Sequence, residues 1–414
     1  MISNWWRFPS WLPVQRSKAI IDAYGLGLLF SANVFGAGSV YILSNTGANF
    51  GFTLLWTLPL ALFVDMGMHE MSGRLATIDK PLMEYIRNTI GTGPSKVVSV
   101  GLAFIMHFWA ISNYAVAGTA LVWLTPINNT YLGMILAAGS GIAILELRVY
   151  DRIEAAITTL IFAVFGIYLV LVFGINLPVQ QVATGLVPAL TSDIGYLVTI
   201  VGLFGTTVYY PNFFIQSSIR PTKGWTEMAL YRRDNFVGIT FVILLSIAVI
   251  SVSAAVLEPG TPTLTSPGTP LASILGSTAL TVFVFAVFLA SFTSATGTLF
   301  GAGFLVPQAW GYTTVFGDYL FRRIVQALIV LSVIFAILLL EVTDMSTVRL
   351  ALVMPAVNGL IGLPITALAL YFANRKFFDH PLLLRIYFAL LVGLMFVLGL
   401  LTAQGLHGQI IHWI

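Results

Sequence analysis

The sequence contains no cysteine and very little charge. The first absence excludes disulfides, thiolate metal sites and cysteine nucleophiles. Asp, Glu, Lys and Arg make up 8% of the 414 residues, against about 25% in soluble domains. A chain so poor in charge and 58% apolar is neither a soluble globule nor a disordered segment. It also lacks an HExxH pair, clustered carboxylates and any Cys/His cluster, which argues against an enzyme. There is no P-loop for primary transport, no selectivity motif of a channel, and no soluble signalling domain to make a receptor. Nothing points to nucleic acid or to a cofactor. What the chain does have is a mean hydropathy of +0.94 and many apolar runs of about 20 residues, the length of a membrane-crossing helix. The runs do not alternate, so they read as helices and not as barrel strands.

The expectation is an all-α polytopic membrane protein with eleven spans, near 24–44, 51–73, 97–124, 131–147, 153–175, 194–217, 236–257, 273–306, 324–340, 348–372 and 386–403. Every Lys and Arg except Arg349 then falls on one side. By the positive-inside rule that side is cytoplasmic. The N-terminus is expected there, and the C-terminus, after His407 and His412, outside, in a plasma or inner membrane. Residues 1–23 are aromatic and basic and resemble no cleaved signal; Trp5, Trp6 and Trp11 suit an interfacial anchor. The outer loops 177–193 and 258–270 lack Lys and Arg, and Asn128-Asn129-Thr130 is a weak glycosylation sequon.

Two spans carry interruptions. The first contains Gly36-Ala37-Gly38-Ser39, and the sixth contains Tyr209-Tyr210-Pro211-Asn212. Gly weakens a helix, and Pro removes a donor and clashes with the preceding turn. At bilayer depth such breaks persist where the freed backbone lines a cavity. Spans one and six are five apart, as in a five-plus-five inverted repeat with broken helices 1 and 6. That divides the chain into residues 1–23, a first repeat 24–175, an outer loop 176–193, a second repeat 194–372 and a last segment 373–414 with helix 11. Pro355, and Gly297, Gly301 and Gly303, are further places where a span could bend.

The residues flanking both breaks resemble the Nramp family of proton-coupled divalent-metal transporters. Gly25-Leu26-Gly27-Leu28 looks like the opening of that family's first helix. Gly47-Ala48 and Gly51-Phe52-Thr53-Leu54-Leu55-Trp56 look like its approach to the second, and Glu70-Met71-Ser72-Gly73-Arg74-Leu75 like the end of the second. Tyr150-Asp151-Arg152-Ile153-Glu154, Gly205-Thr206-Thr207-Val208, Gln216-Ser217-Ser218, Arg233-Asp234 and Asn358-Gly359 follow in the family's order. The resemblance implies a LeuT-type fold and alternating access. The family's metal ligands are absent, however. Where its DPGN stands, this chain has Gly36, Ala37, Gly38 and Ser39. Where its MPH stands, the chain places Tyr209 and Pro211, or Tyr210 and Asn212, depending on the anchor. A divergent branch with GPGS/T and VPYN is most similar.

The expected site is therefore neutral: Gly36, Ala37, Gly38, Ser39, Thr206, Thr207, Tyr209, Tyr210, Asn212 and Asn358. A bare dication is costly there, a hydrated magnesium ion less so. Tyrosine faces, hydroxyls and helix N-termini suit a small organic solute. That solute is the leading expectation; a divalent ion (manganese, iron or magnesium), proton-coupled or not, is the alternative, and a receptor that binds without transport a further one. Asp65, with His69 one turn on, and His107 are the intramembrane ionisable groups that could couple transport to a proton or sodium. Glu70 and Arg74, four apart, are expected to pair. Asn33 and the hydroxyls Ser291, Thr293, Ser294 and Thr296 are further candidates, and the protein is expected to act as a monomer.

Overall fold

The computed structural model describes residues 13–411 except 190, 192, 261–262, 270, 273–275 and 344. Trp5, Trp6, Trp11 and His412 lie outside the described residues. Among the described residues every regular element is a helix. The helices are α1 (Pro13–Val34), α2 (Ala37–Phe50), α3 (Thr57–Thr77), α4 (Leu82–Ile90), α5 (Thr92–Leu124), α6 (Thr130–Leu145), α7 (Tyr150–Gly174) and α8 (Val179–Gly185). After these come α9 (Ile194–Gly205), α10 (Tyr210–Ser218), α11 (Arg220–Lys223), α12 (Met228–Val256), α13 (Thr278–Ala309) and α14 (Tyr319–Val342). The chain ends with α15 (Thr347–Val357), a π-helical turn (Asn358–Gly362), α16 (Leu363–Phe377) and α17 (Leu382–Ile411).

Among the described residues, eight helical segments are long and apolar enough to cross a membrane, and α1 with α2 makes a ninth as a bent pair. Two of the eleven expected spans fall outside that measure. One is α3, whose apolar run is interrupted by Asp65, His69, Glu70 and Arg74. The other is α6, only 16 residues long, about 24 Å at 1.5 Å per residue. Gly297, Gly301 and Gly303 do not break their span, since α13 runs through them. The expected outer loop 176–193 folds the short helix α8, whose Gly185 carbonyl accepts from Trp56 N–H at 2.9 Å. Asn129 of the sequon serves as the N-cap of α6, its Oδ1 accepting from Leu132 N–H at 2.9 Å.

The centre of the bundle is α5 laid along α13, the most extensive helix pair in the molecule. The hydroxyls of α13 are mostly satisfied within their own helix. Ser291 donates to Val287 O at 2.7 Å, Thr293 to Leu289 O at 2.9 Å and Thr296 to Phe292 O at 3.0 Å. Back-bonding of this kind removes the cost of a hydroxyl in apolar surroundings. Peripheral α14 instead turns Val330, Leu331, Ile334, Phe335 and Leu338 outward, an apolar face that suits lipid and not water.

Charge collects at the end that carries the basic loops. Lys223 Nζ lies 2.6 Å from Glu154 Oε1, with both side chains buried, and Tyr150 OH donates to the same oxygen at 2.7 Å. Arg74 and Arg232 both pair with Glu70, at 2.7 and 2.6 Å. The inner half of α1 fits against α12 because Gly27 has no side chain; a Cβ there would collide with the Asp234 carbonyl.

Candidate functional site

The first interruption bends the chain by 66° between α1 and α2. Gly36 is extended (φ −113°, ψ −166°), which takes its neighbours out of the helical ladder. The freed Ala37 N–H donates to Asn113 Oδ1 of α5 at 2.8 Å. The Asn33 carbonyl accepts from Ser294 Oγ of α13 at 2.6 Å. The Val34 carbonyl accepts from Ser39 Oγ at 2.7 Å. Gly36 has to be glycine, because a Cβ would strike Asn113 Oδ1 and Ser294 Oγ. The second interruption is gentler: residues 195–218 pass as a single span. It separates α9 from α10 at Thr206-Thr207-Val208-Tyr209, with Pro211 in the first turn of α10, where its missing N–H does no harm. Asn358 Nδ2 donates to the carbonyls of Gly205 (2.9 Å) and Val208 (3.3 Å).

The two interruptions meet. Ser39 Oγ lies 3.5 Å from the Thr206 carbonyl, so Gly36, Ala37, Ser39, Thr206 and Asn358 belong to one neighbourhood. Asn212 joins it from α10: its Oδ1 accepts from Asn33 Nδ2 at 3.0 Å and its Nδ2 donates to Phe30 O at 3.2 Å. The two tyrosines separate. Tyr209 packs on Trp109 with ring centroids 4.8 Å apart, in a small cluster with Val34 and Val242, and its hydroxyl meets Thr298 Oγ1 at 2.7 Å. Tyr210 turns to the scaffold and donates to the Leu102 carbonyl at 2.6 Å. Of the pair, Tyr209 therefore faces the break.

The coupling candidates also separate. His107 Nδ1 meets Ser332 Oγ at 3.0 Å and its ring abuts Phe335, so its partners are on α14 and not at the break. Asp65 lies against the break instead. It lines a small cavity of about 10 Å³ with Ser31, His69, Thr207 and Asn212. Asn113, Ser294, Trp109 and Thr298 complete the surroundings; of these only Ser294 was among the site candidates. Among the described residues no group of three or more His, Cys, Asp or Glu is placed to hold a metal ion.

The profile of the family described as natural resistance-associated macrophage protein-like (Nramp) matches residues 27–405, which takes in both interruptions. The chain belongs to the Nramp family. Similar curated Nramp proteins include a divalent metal cation transporter MntH of Staphylococcus saprophyticus, 25% identical over 232 residues, or 53% of this chain and 50% of the relative. A second is the protein of the same name from Staphylococcus haemolyticus, 23% identical over 236 residues, or 54% of this chain and 49% of the relative. The match thus spans about half the length of these relatives. Among solved structures, a manganese transporter of Eremococcus coleocola, in complex with an aromatic bis-isothiourea substituted compound, superposes with a TM-score of 0.76 at 17% identity. That superposition covers 95% of this chain and 88% of the other. A nucleobase-cation-symport-1 family transporter with bromovinylhydantoin bound gives a TM-score of 0.58 at 13% identity, covering 94% and 92%. At these identities the likeness concerns the fold, which is the LeuT-type arrangement with broken first and sixth helices.

Proposed function

We propose that this protein is a secondary transporter that carries a divalent cation across the membrane by alternating access around the paired interruptions, with its basic end in the cytoplasm. This reverses the order of the two readings taken from the sequence. The small organic solute led there because the break is neutral, but the named relatives are divalent metal cation transporters. The observation that carries the reading is the meeting of the two breaks, where Ser39 of α2 reaches the Thr206 carbonyl after α9. Backbone carbonyls and hydroxyls gathered at the midplane are what a cation needs in place of water. With no anionic ligand on either broken helix, the cation keeps part of its hydration shell or draws on a charge from a neighbouring helix.

The test is uptake into proteoliposomes loaded with a metal-sensitive dye, with manganese and magnesium supplied outside. Saturable entry that Ser39→Ala and Asn212→Ala diminish supports the reading; no entry of either ion above protein-free vesicles defeats it. The tilted packing of Trp109 against Tyr209 favours the organic solute as the second reading. It gains if a thermal-shift screen finds a small carboxylate, amide or amino acid whose effect Tyr209→Ala removes.

A further inference from the structure

Asp65 and His69 sit one turn apart on α3, and the mechanism implied by the family's broken helices uses neither. His69 Nδ1 lies 2.5 Å from Gln216 Oε1 of α10. With the amide oxygen turned to the ring, it accepts from Nδ1–H and leaves the Nε2 lone pair free. That lone pair faces the Asp65 carboxylate, with Nε2 3.9 Å from Oδ2. Two acceptors therefore confront each other in a buried place. The gap is too wide for a hydrogen bond, which needs about 3.2 Å or less. It is within the span of two metal–ligand bonds of about 2.0–2.2 Å each. The other carboxylate oxygen, Asp65 Oδ1, is buried and has no hydrogen-bond partner, although the side chain lines the cavity below the break.

The rest of the cavity offers oxygen. Ser31 Oγ lies 2.9 and 2.8 Å from the carbonyls of Gly27 and Gly238 and shares its one proton between them. Thr207 Oγ1 donates to Leu203 O at 2.8 Å. Each hydroxyl directs its proton to backbone and keeps its lone pairs. The Nδ1-to-amide bond on the far side of the imidazole is the arrangement that fixes the tautomer of a metal-binding histidine.

We infer that Asp65 Oδ and His69 Nε2 bind the transported cation in the small space between them, with Ser31 and Thr207 as the nearby hydroxyl oxygens, on α3 and toward the basic end from the break. One carboxylate and one imidazole favour a first-row divalent ion such as Mn²⁺ over Mg²⁺ or Ca²⁺, which prefer oxygen alone. The inference rests on the divalent-cation reading above. It supplies the negative charge that the residues at both breaks lack.

The experiment is Mn²⁺ titration of the full chain in lipid nanodiscs, followed by EPR. The expected result is one tightly bound ion per protein with nitrogen modulation in the pulsed spectrum. Asp65→Asn and His69→Gln are each expected to weaken binding by about tenfold or more, at least what disturbing an outer-shell partner of a metal ligand costs. The nitrogen signal is read on the unaltered protein, so it decides the matter even if a variant fails to fold. Bound Mn²⁺ with no nitrogen modulation, or binding indifferent to both substitutions, overturns the site and leaves divalent transport standing. Failure of the unaltered protein to bind Mn²⁺ or Mg²⁺ overturns the site and the functional reading together.

Discussion

At the first interruption one freed group is a donor, the Ala37 N–H, and Asn113 Oδ1 takes it at 2.8 Å. At the second the bonded groups are acceptors, the Gly205 and Val208 carbonyls, and Asn358 donates to both. The anchors differ as well. Asn113 and Ser294 stand on α5 and α13, the paired helices at the centre of the bundle. Asn358 stands on the π-helical turn, itself an irregular element. A buried N–H without a partner is rarer in proteins than a carbonyl short of one, because a carbonyl has a second lone pair. The first break is therefore fastened to the closely packed α5–α13 pair. The second offers carbonyls that tolerate an exchange of partners.

Four substitutions probe that contrast. Gly36→Val is expected to do the most damage, since its side chain must displace Asn113 and Ser294 together. Overpacking of this kind costs about 3 kcal/mol, so little monodisperse protein should be recovered by size-exclusion chromatography. Asn113→Ala strands the Ala37 N–H and is expected to cost about 2 kcal/mol, read as a clear fall in melting temperature in detergent. Asn358→Ala removes the donor from two carbonyls and is expected to cost less, about 1 kcal/mol. Equal losses from the two asparagine variants would erase the distinction between the breaks. Tyr209→Phe is expected to be the mildest, about 0.5–1 kcal/mol in the same assay, because Thr298 Oγ1 keeps its bond to the Ser294 carbonyl at 2.6 Å. A Tyr209→Phe loss as large as that of Asn113→Ala would mean that the aromatic pair, and not the backbone clamp, holds the break.

Both interruptions were legible because their chemistry is local: Gly36 adopts an extended backbone at the first, and Pro211 begins a helix rather than continuing one at the second. Asn358 could be singled out because an amide deep in an apolar run needs a partner. Its partners, the Gly205 and Val208 carbonyls, could not be named. Ser294 illustrates the limit. It shares its span with Ser291, Thr293 and Thr296, and the sequence does not separate the hydroxyl that meets Asn33 from those that bond back into their own helix. Tyr209 and Tyr210 were indistinguishable for a similar reason. Tyr209 is extended at the break and Tyr210 opens α10, and only the packed bundle shows that one faces Trp109 and the other the Leu102 carbonyl. The span count was limited differently. Charge alternation expects α3 and α6 to cross, whereas length and apolarity alone pass over them.

The π-helical turn has a consequence for the helices on either side of it. An i→i+5 turn holds one residue more than an α-turn, so every side chain after Gly362 is rotated by roughly a residue's worth, about 100°. The described core residues Val348, Leu350 and Ala351 of α15 are buried, while beyond the turn Ile365, Leu368 and Phe372 of α16 form an outward stripe with Ile361. The turn thus acts as a phase shifter. It lets one continuous rod keep an amide aimed at the middle of the protein and, two turns later, present oil to the bilayer.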